Sequence, residues 1–153
     1  TIYLGGRVDR IDVSRDQNKF LVLDYKTGST LKSTPKRMAD GLALQLQIYV
    51  WAVQQLLLKR AHAVGGLLIQ VREAKRSQGL VLKECNKKSM TLHPRASALM
   101  EPQAFDECIE EALRFTKEYV KKIREGQFAP VPKDCVSSCD YKEICRYAYK
   151  PID

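Results

Sequence analysis

The sequence predicts an α/β domain in which helices cover a mixed β-sheet. Two observations carry this prediction. Apolar residues alternate in some segments, as in strands, and recur every three to four residues in others, as in helices. These patterns follow one another in the order strand, strand, helix, strand, strand, helix, which is typical of a sheet layer covered by helices. The 153 residues are enough for a single domain with a hydrophobic core.

The first part of the chain predicts a β-hairpin followed by a long helix. Residues 2–13 and 20–26 are rich in β-forming side chains, and the polar residues 14–19 between them predict a turn. The stretch 29–40 is polar and basic and contains a proline, so it predicts a loop. Residues 41–60 place apolar side chains on one wide face and predict an amphipathic helix.

The second part of the chain predicts further strands and a second long helix. Residues 64–71 predict a buried strand, and residues 79–84 and 89–92 are shorter strand candidates. Residues 103–125 have the apolar spacing of an amphipathic helix. Gly126 follows directly and is predicted to end that helix.

Charge and cysteine content indicate the kind of partner and compartment. The net charge is +8, which favours a polyanionic partner such as a nucleic acid. No apolar run reaches the roughly 18 residues of a membrane span, so no membrane partner is expected. The first residues lack the features of a signal peptide, and we expect the sequence to be a piece of a longer protein. Five cysteines, an odd number, favour a reducing cytoplasm over a disulfide framework.

Polar residues with catalytic chemistry lie at the end of the second predicted strand. Side chains alternate along a strand, so Asp24 and Lys26 share one face and Tyr25 points to the other. Asp9 lies on the partner strand and can approach Asp24 if the two strands pair. Two carboxylates suit Mg²⁺, which bridges to substrate phosphates, and Lys26 could orient or help to deprotonate an attacking water.

A second polar pair lies on the first predicted helix. Gln45 and Tyr49 are four residues apart and therefore share one helical face. Arg10 and Asp12 would point away from Asp9, which makes them poorer catalytic candidates. Structural roles remain open for each pattern: an Asp-x-Lys pair is common at a solvated sheet edge, and a tyrosine often packs in the core with its hydroxyl in water.

Three motifs in order resemble one known family. Residues 6–10 read G-x-x-D-R, residues 24–28 read D-Y-K-T-G and residues 45–49 read Q-x-x-x-Y. This order and spacing is similar to that of the RecB/AddB-type branch of the PD-(D/E)XK nucleases. The match runs through about residues 6–52, and the C-terminal cysteines extend it to residue 146.

The resemblance implies a fold and a set of site residues. The fold would be restriction-endonuclease-like, a central mixed sheet flanked by helices. Mg²⁺ or Mn²⁺ would be bound by Asp9, Asp24 and the backbone carbonyl of Tyr25. Lys26 would be the catalytic lysine, and Gln45 and Tyr49 would support the site and contact DNA. The expected catalytic set is therefore Asp9, Asp24, Lys26, Gln45 and Tyr49.

The C-terminal cysteines resemble the iron–sulfur segment of AddB-like nucleases. The resemblance implies that Cys135, Cys139 and Cys145 hold a 4Fe–4S cluster, with a fourth cysteine upstream of this sequence. Three residues separate Cys135 from Cys139, where the family usually has two. Cys85 or Cys108 could in principle supply the fourth ligand, although a buried free cysteine is the commoner role of such residues.

The expected organisation is a nuclease core over 1–130, lacking its N-terminal helix, with a cysteine-rich iron–sulfur tail over 131–153 packed on it. The implied function is metal-dependent DNA hydrolysis, exonucleolytic and within a helicase–nuclease repair and recombination system. The implied partners are DNA and a helicase domain or subunit. Three alternatives remain open: a CRISPR-associated adaptation nuclease, a non-catalytic DNA-binding domain of nuclease fold, and a zinc-binding module built on the tail cysteines.

Overall fold

The structure is a computed structural model that describes residues 1–28, 33–72, 78–85, 94–129 and 145. The predicted strand at 89–92 and two of the tail cysteines, Cys135 and Cys139, lie outside these residues. The chain divides into two compact units, residues 1–117 and residues 118–153. The boundary expected after residue 130 stays a prediction.

Within the described residues, five strands form one mixed sheet in the order β1-β2-β3-β4-β5. Pairing is antiparallel between β1 and β2, parallel between β2 and β3, antiparallel between β3 and β4, and parallel between β4 and β5. The α/β class and the sheet flanked by helices are therefore as predicted, consistent with a restriction-endonuclease-like fold. The strands are β1 (Arg10–Val13), β2 (Lys19–Lys26), β3 (His62–Gln70), β4 (Gln78–Leu82) and β5 (Leu99–Met100).

Three α-helices occur in the described part of the chain: α1 (Pro35–Ala39), α2 (Gln45–Ala52) and α3 (Pro102–Arg124). The last turn of the α2 helix continues as a π-helical segment, Val53–Leu57. Short 3-10 turns occur at Lys83–Cys85 and Ala96–Ala98. None of these helices combines the length and apolar character that crossing a membrane requires.

The loop predicted for residues 29–40 is wrong in its second part, where α1 forms. Thr34 is the N-cap and its hydroxyl oxygen accepts from the backbone N–H of Arg37 at 3.4 Å. Pro35 occupies the first turn, where its missing N–H costs nothing. The proline that indicated a loop therefore starts a short helix instead.

The strand predicted for residues 2–13 is confirmed only from Arg10 onward. Residues 1–8 have no regular structure, and Tyr3 is 92% exposed. Alternating apolar side chains make a strand only where a neighbouring strand pairs with it and one face is buried. Gly5 and Gly6 interrupt the pattern and supply no side chain for such packing.

The predicted end of α3 is confirmed by its hydrogen bonds. Gly126 has φ 69° and donates from its backbone N–H to the carbonyl of Ile123 at 3.1 Å. Gln127 donates to the carbonyl of Lys122 at 2.9 Å. This is the Schellman arrangement, in which a residue in the left-handed region satisfies the last carbonyls of a helix.

Apolar side chains bury both faces of β2. One face, with Phe20 and Val22, packs against α2 through Leu46 and Val50. The other face belongs to a second cluster that contains Leu21, Leu23, Val64, Leu67 and Val81. A polar group near the end of β2 is therefore held in a largely dehydrated and well-packed setting.

Candidate active site

The strand β2 carries a buried carboxylate where its apolar run ends. Asp24 is only 3% exposed, although an unpaired carboxylate is rarely so buried. Its side chain lies on the face covered by α2, together with that of Lys26, and both contact Gln45 on that helix. Tyr25 points to the opposite face, as the strand alternation predicted.

The Gln45 carboxamide links the two charged groups. Its Nε2 donates to Oδ1 of Asp24 at 3.0 Å, and its Oε1 accepts from Nζ of Lys26 at 2.9 Å. Lys26 Nζ also lies 2.5 Å from Oδ2 of Asp24 in a direct ion pair. Oδ2 is buried and has no further donor among the described residues besides this ammonium group. Oδ2 of Asp24 thus keeps one lone pair for a further ligand.

The hairpin brings Asp9 to the same segment. Oδ2 of Asp9 accepts a hydrogen bond from the backbone N–H of Tyr25 at 2.9 Å. Since residue 25 is the neighbour of both Asp24 and Lys26, the carboxylate of Asp9 lies at the end of β2, as expected if the two strands pair. Among the described residues, no three histidine, cysteine or acidic side chains form a metal-binding group. A metal here would rely on two carboxylates, backbone carbonyl oxygen and water.

The third motif contacts both of the others. Tyr49 lies one helical turn after Gln45, and its hydroxyl oxygen accepts from Nε2 of Gln45 at 3.3 Å. Its ring packs against the backbone of Gly6: a Cβ added there would lie 2.9 Å from Cε1 of Tyr49. The glycine of the first motif is therefore required by close approach to the tyrosine of the third.

The opposite face of the hairpin holds a polar cluster whose members were the poorer candidates by sequence. Arg10 donates to both carboxylate oxygens of Asp12, at 2.6 and 3.0 Å, and to the hydroxyl of Tyr25 at 3.2 Å. The bonds to Asp12 and Tyr25 raise the pKa of Arg10 above its already high ordinary value, so the guanidinium stays charged. Its only sequence signal was its place directly after Asp9.

Gln70 is a residue near the site that the sequence analysis did not single out. It is 3% exposed at the end of β3, and its Nε2 donates to the backbone carbonyl of Gly28 at 3.0 Å. The next residue, Val71, donates from its N–H to the carbonyl of Lys26 at 3.0 Å. The end of β3 thereby anchors the backbone on both sides of Thr27. A polar residue closing the apolar run 64–69 was the available signal.

The cysteines differ in their surroundings. Cys145 is exposed and free, and Cys85 and Cys108 are half-buried free thiols. Burial raises the pKa of both Cys85 and Cys108. Cys108 packs against Gln47 and Met38, with its Sγ 3.8 and 3.9 Å from Nε2 and Sδ respectively, in the manner of a core residue. Cys135 and Cys139 lie outside the described residues.

Comparison with known proteins identifies the relatives of this chain. Residues 1–146 match the PD-(D/E)XK nuclease superfamily. The chain is similar to an ATP-dependent helicase/deoxyribonuclease subunit of Alkaliphilus metalliredigens, with 25% identity over an alignment 197 positions long. That alignment covers 95% of this chain and 17% of the relative. It is also similar to the subunit of the same name from Moorella thermoacetica, with 40% identity over 90 residues, 54% of this chain and 8% of that protein. The chain thus spans less than a fifth of the length of either relative.

Proposed function

The chain belongs to the PD-(D/E)XK nuclease superfamily, and from that premise we propose that it hydrolyses phosphodiester bonds of DNA with Mg²⁺ or Mn²⁺. The observation that carries the proposal is the contact of Asp24, Lys26 and Gln45 at the end of β2, with the carboxylate of Asp9 bonded to the intervening backbone. A buried carboxylate beside an ammonium group is costly to maintain for stability alone.

The residues present fit a divalent metal. Nucleases of this superfamily generally use divalent metal ions, and hard cations such as Mg²⁺ prefer oxygen ligands. Oδ2 of Asp24 is buried with the Lys26 ammonium as its polar neighbour, and its second lone pair has no donor among the described residues and could bind a metal. We propose Asp9, Asp24 and the backbone carbonyl of Tyr25 as the protein ligands. When bound, the metal would polarise the phosphodiester and ease deprotonation of an attacking water.

Lys26 would act on the substrate itself. Its side chain is 36% exposed, so its ammonium group can reach a phosphate while it remains beside Asp24. There it would orient the attacking water and offset the negative charge that develops on the phosphorus-bound oxygens. Gln45 holds Nζ and the carboxylate in fixed relation through its two hydrogen bonds, and Tyr49 limits the movement of Gln45.

Exonucleolytic action within a helicase–nuclease system for DNA repair and recombination is the biological setting we propose. The names of the two relatives, each an ATP-dependent helicase/deoxyribonuclease subunit, support DNA cleavage beside a helicase. The exonucleolytic mode and the role in repair and recombination rest on the resemblance of the motifs alone. The partners would be DNA and a helicase domain or subunit. A net charge of +8 favours binding to the phosphate backbone.

An iron–sulfur cluster on the tail cysteines is a further part of this proposal. Cys135, Cys139 and Cys145 lie within eleven residues, and thiolates at such density favour iron–sulfur or zinc. The exposed free thiol of Cys145 is compatible with ligation. A cluster would colour the purified protein brown, whereas bound zinc would leave it colourless.

The test is DNA cleavage by the purified protein with Mg²⁺, Mn²⁺ or EDTA, beside Lys26→Ala. Lys19→Ala is the matched control, because Lys19 starts the same strand and is exposed. We expect metal-dependent cleavage that falls by at least about 100-fold in Lys26→Ala and is retained in Lys19→Ala. Undiminished cleavage in Lys26→Ala would show that the site is wrong.

A further inference from the structure

Asp9 immediately precedes β1 and does not lie on that strand, where the sequence predicted it. The pairing of β1 with β2 begins at Arg10, opposite Leu23, and residues 1–8 have no regular structure. Asp9 is also exposed, so packing does not restrain it. Neither the backbone ladder nor the core therefore fixes the position of a carboxylate on which the proposed metal site depends.

Two side-chain hydrogen bonds hold this segment where strand pairing is absent, and both are made to Tyr25. Asp9 accepts from the backbone N–H of Tyr25 at 2.9 Å. Arg10 donates from Nη1 to the side-chain hydroxyl of Tyr25 at 3.2 Å. Two successive residues, Asp9 and Arg10, thus bind the same residue of β2, one at its backbone and the other at its side chain.

The Arg10 side chain is itself held in place by a third residue. Its Nε and Nη2 donate to the two carboxylate oxygens of Asp12, which is the two-point geometry that restricts a guanidinium most. Asp12 lies within the paired part of β1, opposite Leu21. Because Asp12 is fixed by strand pairing, the guanidinium that it binds is held in one position from which it donates to the hydroxyl of Tyr25.

We infer that the Arg10–Tyr25 hydrogen bond is a clasp that positions Asp9, and that Arg10 and Tyr25 are positioning residues for the reaction. This inference rests on the proposed function for its kinetic consequence only. Loss of the clasp frees the segment around Asp9 while leaving Asp24, Lys26 and Gln45 joined. A small displacement of Asp9, a proposed metal ligand, should lower the cleavage rate far more than it changes the stability of the fold.

The direct test measures amide hydrogen exchange at residue 25 by NMR in the full chain. Tyr25→Phe removes only the hydroxyl, and Arg10→Met removes the guanidinium at similar length. Both should accelerate exchange of the residue-25 amide, because its acceptor Asp9 is less well held. The amides of Val22 and Leu23, inside β2, should keep their protection. Unchanged exchange at residue 25 in both variants would overturn the clasp, and so would equal acceleration throughout β2, which indicates simple destabilisation.

Cleavage kinetics supply the second readout. We expect kcat to fall about fivefold in each variant with KM for DNA within twofold, and the double variant to be no slower than the single variants, because one hydrogen bond is lost in all three. Arg15→Met removes the same charge from the exposed hairpin turn and should leave both parameters unchanged. A raised KM with normal kcat would assign Arg10 to DNA contact and overturn the inference. If Lys26→Ala cleaves normally, the proposed function fails, and amide exchange alone decides the clasp.

Discussion

Gln45 and Asp24 form the central contact of the site: Nε2 of Gln45 donates to Oδ1 of Asp24 at 3.0 Å, while the other end of the same amide accepts from Lys26. The neutral amide can serve both charged groups because it carries a donor and an acceptor. A charged or apolar residue at position 45 would satisfy at most one of them.

Replacement of Gln45 should therefore lower activity more than stability. In Gln45→Ala we expect cleavage to fall about tenfold and the free energy of unfolding to fall by about 1 kcal/mol, because Oδ1 of the buried Asp24 loses its donor while Lys26 stays beside the carboxylate. Gln45→Glu should be less active still, since it places a second carboxylate beside Asp24. Kinetics and urea unfolding measure the two effects.

Gln55→Ala is the matched control for this pair, because Gln55 is exposed in the π-helical segment that follows α2. It should leave both cleavage and unfolding near those of the unmodified protein. Equal activity in Gln45→Ala and Gln55→Ala would contradict the bridging role of Gln45.

Gly6→Ala should impair catalysis while its neighbour Gly5→Ala does not. A Cβ at Gly6 would lie 2.9 Å from the ring of Tyr49, whereas a Cβ at Gly5 meets nothing within 4 Å. The Tyr49 ring must shift to make room for the methyl group. This shift also moves the Tyr49 hydroxyl, which accepts a hydrogen bond from Gln45. We expect a several-fold loss of kcat in Gly6→Ala, with unfolding changed by less than about 1 kcal/mol because position 6 is exposed. Equal kcat in the two variants would count against a role for the Tyr49 contact.

Gly79→Ala should destabilise the sheet severely. Gly79 has φ 151°, and a Cβ there would lie 2.1 Å from the backbone oxygen of Gly66 on β3. Backbone on backbone cannot relax as side chains do, so we expect a loss above about 3 kcal/mol, or no folded protein.

Gly126→Ala is the comparison for Gly79→Ala, because it introduces backbone strain from a positive φ without a steric clash. Gly126 also has a positive φ, 69°, but a Cβ there meets nothing within 4 Å. That variant should lose only about 1 kcal/mol, the cost of a non-glycine residue in the left-handed region. Similar thermal melts for the two variants would mean that collision with Gly66 is unimportant.

The cysteines should differ in reactivity with iodoacetamide at pH 8. Burial raises the pKa of Cys85 and Cys108, so at pH 8 a smaller fraction of each is the reactive thiolate than for an ordinary thiol. As the pH rises, the thiolate fractions of the buried and exposed cysteines become more nearly equal. Cys145 is exposed and should be modified first in protein free of iron and zinc. Peptide mass spectrometry reports each site.

Metal-loaded protein provides the comparison. If the tail holds a cluster, Cys145 should be protected until iron is removed. Rapid modification of Cys145 in brown, iron-containing protein would contradict its place among the ligands.

Much of the architecture was predictable because β2, β3 and α3 carry strong local patterns. The apolar runs of β2 and β3 have the length of buried strands, and residues 103–125 repeat apolar side chains with the period of a helix. Each pattern shows by itself which side chains will be buried, so no knowledge of the neighbouring elements is needed. The helix α1 and the two-residue strand β5 were missed. Each is too short for a periodic signal, and contacts with the rest of the fold decide its conformation.

The candidate site was predictable in its residues but not in its connections. Alternation along β2 requires Asp24 and Lys26 to share a face, and helical spacing does the same for Gln45 and Tyr49. Nothing local indicates that Gln45 lies between Asp24 and Lys26. Gln70 was missed, and Arg10 was set aside as a poorer candidate, for the same reason: each contacts a segment distant in sequence.

The sequence by itself determined the alternation of strands and helices and the set of polar groups on each element, because these follow from periodicities within a few residues. Only the tertiary structure decided which groups meet. The parallel pairing of β2 with β3 buries Asp24, the packing of α2 on that sheet brings Gln45 to it, and the hairpin delivers Asp9 to Tyr25. The two hydrogen bonds that result, from Tyr25 to Asp9 and from Gln45 to Asp24, join residues 16 and 21 positions apart, and their geometry depends on the packing of the whole sheet.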